Sequence, residues 1–187
     1  SGLQAATTLT VTNVVLVSIA VTPSNATLPR RYRLQMRATG TFSDGSTQDL
    51  TSQATWTASP TTVATVSNSG ARGRVTGVAA GTATIAATFS GVQGATTVTV
   101  TNATLSSLAV TPSSVSLTVN QTLQLTATGT FSDGTTLDLT TQVHWTSSNK
   151  TNVSVNGTGL IRARHKGTAT ISATNAGKTG TAAVTVN

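Results

Sequence analysis

Side chains able to do chemistry are few in this chain, and their spacing narrows what they can do. Four residues are Asp, none is Glu or Cys, two are His and eleven are Lys or Arg, out of 187. Asp44 and Asp49 return as Asp133 and Asp138, each pair five residues apart and the pairs offset by 89. With neighbouring Thr hydroxyls or carbonyls, either pair is a weak candidate for holding Ca²⁺, a hard cation that takes about six to eight oxygens and usually more than two carboxylates. The alternative reading is local. Asp44 and Asp133 shape hairpin turns, while Asp49 and Asp138 bond their own backbone in Asx turns. As an acid/base pair the Asp residues have no nucleophile or oxyanion device beside them in the sequence. The lack of Cys rules out disulfides, thiolate metal sites and Cys nucleophiles. The expectation is a protein that is not an enzyme and carries no cofactor and no catalytic residues.

Basic residues show more pattern. The formal net charge is +7, which suits acidic partners and equally suits solubility. Arg31, Arg33 and Arg37 alternate and read as the outward face of one strand, and Arg162, Arg164 and Lys166 read as a second stripe. A solvated face is the plain reading of both; contact with an anionic glycan, a lipid headgroup or a partner is the functional one. Nucleic acid is disfavoured, because stacking aromatics should be interleaved with the charges and only Tyr32 lies nearby. His144 and His165 are isolated and suggest no metal site. The longest apolar run, VVLVSIAV at 14–21, is far short of the roughly 20 residues of a membrane-spanning helix.

The elements that must position these groups are repeated. Residues 18–59 align with 107–148 at 25 of 42 positions, and ATGTFSDG at 38–45 recurs unchanged at 127–134. GTATI at 81–85 returns at 167–171 with the offset reduced to 86. Three residues are therefore absent from the second repeat, between Gly159 and Gly167 as compared with Gly70 to Gly81, which reads as a loop or hairpin tip. Residues 2–13 match 91–102 at nine of twelve positions. The chain thus opens on what reads as the closing strand of a preceding repeat, or on a donor strand with a partner in another molecule. Leu3, Leu9 and Val11 are the residues such strand addition would bury.

Within each repeat, period-two alternation in short runs predicts strands, and 43 Thr residues favour strand over helix. Leu34, Met36 and Ala38 alternate with polar partners, as do Leu123, Leu125 and Ala127. Asp44-Gly45 and Asp133-Gly134 read as two-residue hairpin turns. Trp56 and Trp145, with Phe42 and Phe131, are the expected core anchors, supported by Ala83, Ile85, Ala87 and Ala169, Ile171, Ala173. Pro23 and Pro112 end a first short strand where an edge or a change of sheet suits the missing N–H.

The ordered set LAVTPS, ATGTFSDGTT, DLT, VHWTSSN, GTATISA and a terminal VTV resembles the group 2 bacterial immunoglobulin-like domain. That module occurs in tandem in the stalks of intimin- and invasin-type surface proteins. The resemblance implies an all-β chain of two tandem immunoglobulin-like antiparallel β-sandwiches with an extra N-terminal strand: residues 1–13 as the orphan strand, 14–101 as the first domain and 102–187 as the second. It implies a non-enzymatic extracellular structural or adhesion module, a stalk or adhesive segment at the bacterial cell surface, whose partners are neighbouring repeats or copies of itself. Two alternatives stay open: a filament subunit assembling head to tail through its N-terminal strand, and a module binding anionic host-surface or envelope glycans.

Overall fold

The computed structural model describes residues 13–187, and every regular element among them is a strand. The first unit comprises β1 (Leu16–Thr22), β2 (Ala26–Pro29), β3 (Arg33–Gln35), β4 (Arg37–Phe42), β5 (Thr47–Asp49), β6 (Thr55–Ser59), β7 (Ala64–Val66), β8 (Arg74–Gly77), β9 (Gly81–Phe89) and β10 (Val92–Thr101). The second repeats the series as β11 (Leu105–Thr111), β12 (Ser114–Leu117), β13 (Thr122–Gln124), β14 (Thr126–Phe131), β15 (Thr136–Asp138), β16 (His144–Ser147), β17 (Val153–Val155), β18 (Leu160–Ala163), β19 (Gly167–Asn175) and β20 (Lys178–Val186). The expected strand-addition segment, with Leu3, Leu9 and Val11, lies outside the described residues.

Each unit folds as an immunoglobulin-like sandwich with the same pairing. In the first, β2-β10-β9-β6 form one sheet, and β1-β4-β5 with β3-β8-β7 form two short sheets. The second unit repeats this as β12-β20-β19-β16, β11-β14-β15 and β13-β18-β17. All pairs are antiparallel except β2 with β10 and β12 with β20, which run parallel. The parallel pairs arise because the chain leaves one sheet after β1 or β11, turns at Pro23 or Pro112, and joins the other sheet beside its last strand. A proline has no N–H to lose from a ladder at that crossing.

The alternating run at 33–38 is not one strand. It breaks at Met36, so that β3 pairs with β8 while β4 pairs with β1 and β5; Leu125 marks the same break between β13 and β14. Side chains supply the hydrogen bonds the interrupted ladder lacks. Gln35 Nε2 donates to the carbonyls of Met36 and Arg72 at 2.9 and 2.7 Å, and Thr51 Oγ1 accepts from the Ala38 amide at 2.9 Å. Gln124 and Thr140 do the same in the second unit.

Both hairpin tips differ from the expected two-residue turn. The Gly45 amide donates to the Phe42 carbonyl and the Phe42 amide to the Ser46 carbonyl, both at 2.9 Å. This closes a three-residue loop, and of its residues only Gly45, at φ 83°, has positive φ. It is a turn followed by one left-handed residue, a geometry that needs a glycine at the last position alone. Phe131 to Thr135 repeats it, with Gly134 at φ 82°.

Trp56 and Trp145 occupy equivalent places and are 1% and 7% exposed. Each stands opposite an alanine, Ala87 or Ala173, in the neighbouring strand, which leaves room for the indole. The alanine, isoleucine and valine rows of β9, β10, β19 and β20 face the same interior. A glycine covers each ring: a Cβ on Gly73 would come within 2.8 Å of Trp56 Cζ2, and one on Gly159 within 2.9 Å of Trp145 Cζ2. Gly159 therefore corresponds to Gly73, not to Gly70. The three-residue length difference falls before it, in the β7–β8 connection of residues 67–73 against 156–159. It is a hairpin tip, displaced upstream of the expected place between Gly159 and Gly167.

Truncating Trp56 to Ala is expected to cost about 3–5 kcal/mol in urea unfolding. Gly159→Ala, which meets both an indole and the Leu125 carbonyl, should cost about 1–3 kcal/mol, with the loss of stability confined to the second unit.

Candidate functional site

The four aspartates are placed by their turns and make short-range bonds. Asp44 accepts from the Ser46 amide and hydroxyl at 2.9 and 2.6 Å; Asp49 accepts from the Thr51 amide at 2.9 Å. Asp133 accepts from the Thr135 amide at 3.0 Å and Asp138 from the Thr140 amide at 2.8 Å. For all four aspartates the bonds run two residues along the chain, the Asx-turn pattern. Among the described residues no three acidic or histidine side chains gather as a metal cluster. The Asp49 turn also builds the core, since the carbonyl of Thr51 accepts Trp56 Nε1–H at 3.0 Å, as that of Thr140 accepts Trp145 Nε1–H at 2.8 Å.

The basic stripes are redistributed by the fold. Arg31 lies in a turn at φ 74°, Arg33 in β3 and Arg37 in β4, beyond the break at Met36. The three are exposed, but they do not share one strand. Arg37 is turned toward Asp49, with Nε 3.5 Å from Oδ2. Arg162 lies in β18, while Arg164 and Lys166 lie in the connection to β19, where Arg164 Nε donates to Ser154 Oγ at 3.0 Å.

The structure instead gathers residues at the junction between the units. Tyr32 packs edge-on against Phe131, with ring centroids 4.8 Å apart and planes at 82°, and its hydroxyl donates to Asn175 Oδ1 at 3.0 Å. Burial raises the Tyr32 pKa above its ordinary value. Gln142 reaches back across the junction. Its Oε1 accepts from the Arg33 amide at 2.9 Å and its Nε2 donates to the Arg33 carbonyl at 3.1 Å, so one side chain satisfies both outward groups of an edge strand. Asn175 Nδ2 donates in turn to the Gln142 carbonyl. Thr101 Oγ1 donates to Asp133 Oδ2 at 2.9 Å, and Ser132 and Thr104 exchange two further bonds. Phe131 is buried under Tyr32, whereas Phe42, its counterpart and an expected core anchor, is only half-buried.

Two clefts flank the Gln142 bridge. One, of about 500 Å³, is lined by Arg30, Arg31, Tyr32, Arg33, residues 102–105, Gln142, Asn175 and Ala176. The other, of about 550 Å³, includes Arg33, Arg74, Leu137 and Asp138. Sequence reasoning missed Arg30, Tyr32, Gln142, Asn175 and Thr101 as a group. The signal available was a departure from the repeat: Tyr32 stands where the second unit has Gln121, and Asn175 where the first has Phe89.

Ser46, through its hydroxyl and then its amide, holds the Asp44 pKa below the usual carboxylate value. Thr51 does the same for Asp49, with Arg37 adding a smaller Coulombic pull. The Thr135 amide lowers Asp133, helped by the hydroxyls of Thr135 and Thr101. A carboxylate whose folded pKa is depressed stabilises the fold above its unfolded pKa, and that contribution is lost as pH falls through the folded value. The melting temperature should therefore be flat from pH 7 down to about 5 and drop below about pH 4. Asn at positions 44, 49 and 133 together should flatten that acid limb in calorimetry.

Against known proteins, the model of the bacterial Ig-like domain (group 2) matches residues 15–101 and 105–186. Ice-binding protein 1 of Shewanella frigidimarina (strain NCIMB 400) is 47% identical over 149 residues, which is 79% of this chain and 17% of that protein. The chain thus spans about a sixth of the length of this relative. Among solved structures, domains 5–6 of the S-layer protein SbsC align with a TM-score of 0.51 and 23% identity over 93% of this chain and 98% of theirs. Domains 4–9 of the same protein align with a TM-score of 0.51 and 21% identity over 93% of this chain and 31% of theirs. At that identity the likeness is one of fold.

Proposed function

Because the chain belongs to the group 2 bacterial Ig-like domain family, we propose that it is a non-enzymatic, extracellular structural segment of a bacterial surface protein, a stalk whose units hold another part of that protein away from the cell. The observation that carries this reading is the junction. A flexible linker would leave the two units to tumble separately. Here Gln142 caps the Arg33 edge, Tyr32 seats on Phe131, and Thr101 reaches Asp133. Contacts of three kinds at three points oppose bending in more than one direction. Within each unit, the long antiparallel pairs β9–β10 and β19–β20 supply ladders of hydrogen bonds that share load.

The family and the name of the relative point the same way. A segment matching 17% of the length of an ice-binding protein fits a spacer within a longer protein. The fold hosts many roles, so the site carries the argument and the family only narrows it.

Residual dipolar couplings test the stalk. For the native chain one alignment tensor should fit the amides of both units. Replacing Tyr32 and Gln142 by Ala should leave both units folded and require two tensors. Independent tensors in the unaltered chain would overturn the reading.

A further inference from the structure

We propose that the basic cleft at the junction binds an acidic polysaccharide, with Arg30, Arg31 and Arg33 gripping its uronate carboxylates. The cleft is lined by residues of both units, so this site rests on the fixed junction argued above; a chain that fits one alignment tensor yet binds no acidic sugar would overturn this proposal alone. Three observations point to it.

The first is unspent charge. Arg37 meets Asp49, Arg72 Nη1 donates to the Ala54 carbonyl at 3.2 Å, and Arg164 Nε donates to Ser154 Oγ at 3.0 Å. Among the described residues, the guanidinium groups of Arg30, Arg31, Arg33, Arg74 and Arg162 have no such partner; of these, Arg30, Arg31 and Arg33 share one cleft, and no carboxylate lines it. The neighbouring cleft across Gln142 contains Asp138. A guanidinium fork matches a carboxylate with two parallel hydrogen bonds.

The second is the backbone at Arg31. Its φ of 74° equals, within a degree, the 73° of Asn120 at the same turn of the second unit. Asn tolerates the left-handed region, and a long side chain rarely adopts it. The second unit builds this turn with Val119, Asn120, Gln121 and Thr122, so the fold has no need of arginine there. The two turns share a backbone conformation and differ in charge.

The third is shape and lining. About 500 Å³ lies within the range of roughly 300–1,000 Å³ typical of small-ligand sites, and suits a short stretch of sugar. Asn102 and Thr104 line it and can bond sugar hydroxyls. The one aromatic lining residue, Tyr32, has its ring against Phe131 and its hydroxyl on Asn175, so it cannot serve as the stacking platform a nucleic acid would want. A concave floor also suits a chain of sugars better than a flat lipid surface.

The test is isothermal calorimetry at low salt with tetragalacturonate, beside its carboxyl-reduced form and an oligothymidylate. Arg30→Val, Arg31→Asn and Arg33→Thr, the residues of the second unit, should together weaken tetragalacturonate binding about tenfold or more, the size expected for losing charge-assisted bonds. Removing as much charge elsewhere, with Arg37→Thr, Arg162→Thr and Lys166→Ala, should change it less than about twofold. Amide shifts of the native chain on titration should centre on Asn102 and Thr104, which tests the site even if the first variant folds poorly. Four results would each overturn the proposal: no binding by the native chain, equal loss in both variants, equal affinity for the carboxyl-reduced sugar, or tighter binding of the oligothymidylate through the same three arginines.

Discussion

The bond from a tryptophan indole to the carbonyl of a threonine in an Asp-Leu-Thr turn is the constraint on which each sandwich depends. Thr51 uses three groups at once: its amide bonds Asp49, its hydroxyl receives the Ala38 amide, and its carbonyl receives the Trp56 indole. Thr140 repeats all three with Asp138, Ala127 and Trp145. A buried indole N–H without a partner costs about as much as the hydrogen bond it forgoes, so the ring goes where that carbonyl is. With few aromatics available, this one ring sets the spacing of the sheets, and a glycine on its far face lets the β7–β8 hairpin close over it.

That constraint also explains why the core strand can break. A strand serving two sheets must interrupt its ladder, and the orphaned groups need substitutes. Gln35 and Thr51 provide them around Met36. The recurrence of Gln, Asp, Leu, Thr and Trp in both units is thus one connected network seen twice, which accounts for identity being concentrated in 38–59 while the β7–β8 tip differs in length.

At the junction, the same physics works between units. An exposed edge strand offers unpaired amides and carbonyls, and Gln142 meets both of Arg33's with a side-chain amide of matching donor and acceptor. Tyr32 performs the second task. Its ring buries Phe131, and its hydroxyl finds Asn175 in the neighbouring unit. The two half-interfaces lie on different units, since the second unit has Gln121 where the first has Tyr32, and the first has Phe89 where the second has Asn175.

The all-β class, the twofold repetition, the tryptophan anchors and the inward alanine, isoleucine and valine rows were legible in the sequence, because alternation, turn residues and self-similarity are local signals. Asp44 and Asp133 also read correctly as turn formers, although the loop has three residues, since Asp-Gly marks positive φ at the glycine without fixing how many residues precede it. The split at Met36, which placed Arg33 and Arg37 on different strands, was invisible, because both halves keep the same alternation and only pairing partners tell them apart. The parallel β2–β10 pair and the grouping of Arg30, Tyr32, Gln142 and Asn175 likewise join positions far apart in the chain. Local periodicity by itself determined what the units are made of. Only the tertiary structure decided which residues meet between them, because that depends on how two finished units are oriented, and no nearest-neighbour pattern encodes an orientation.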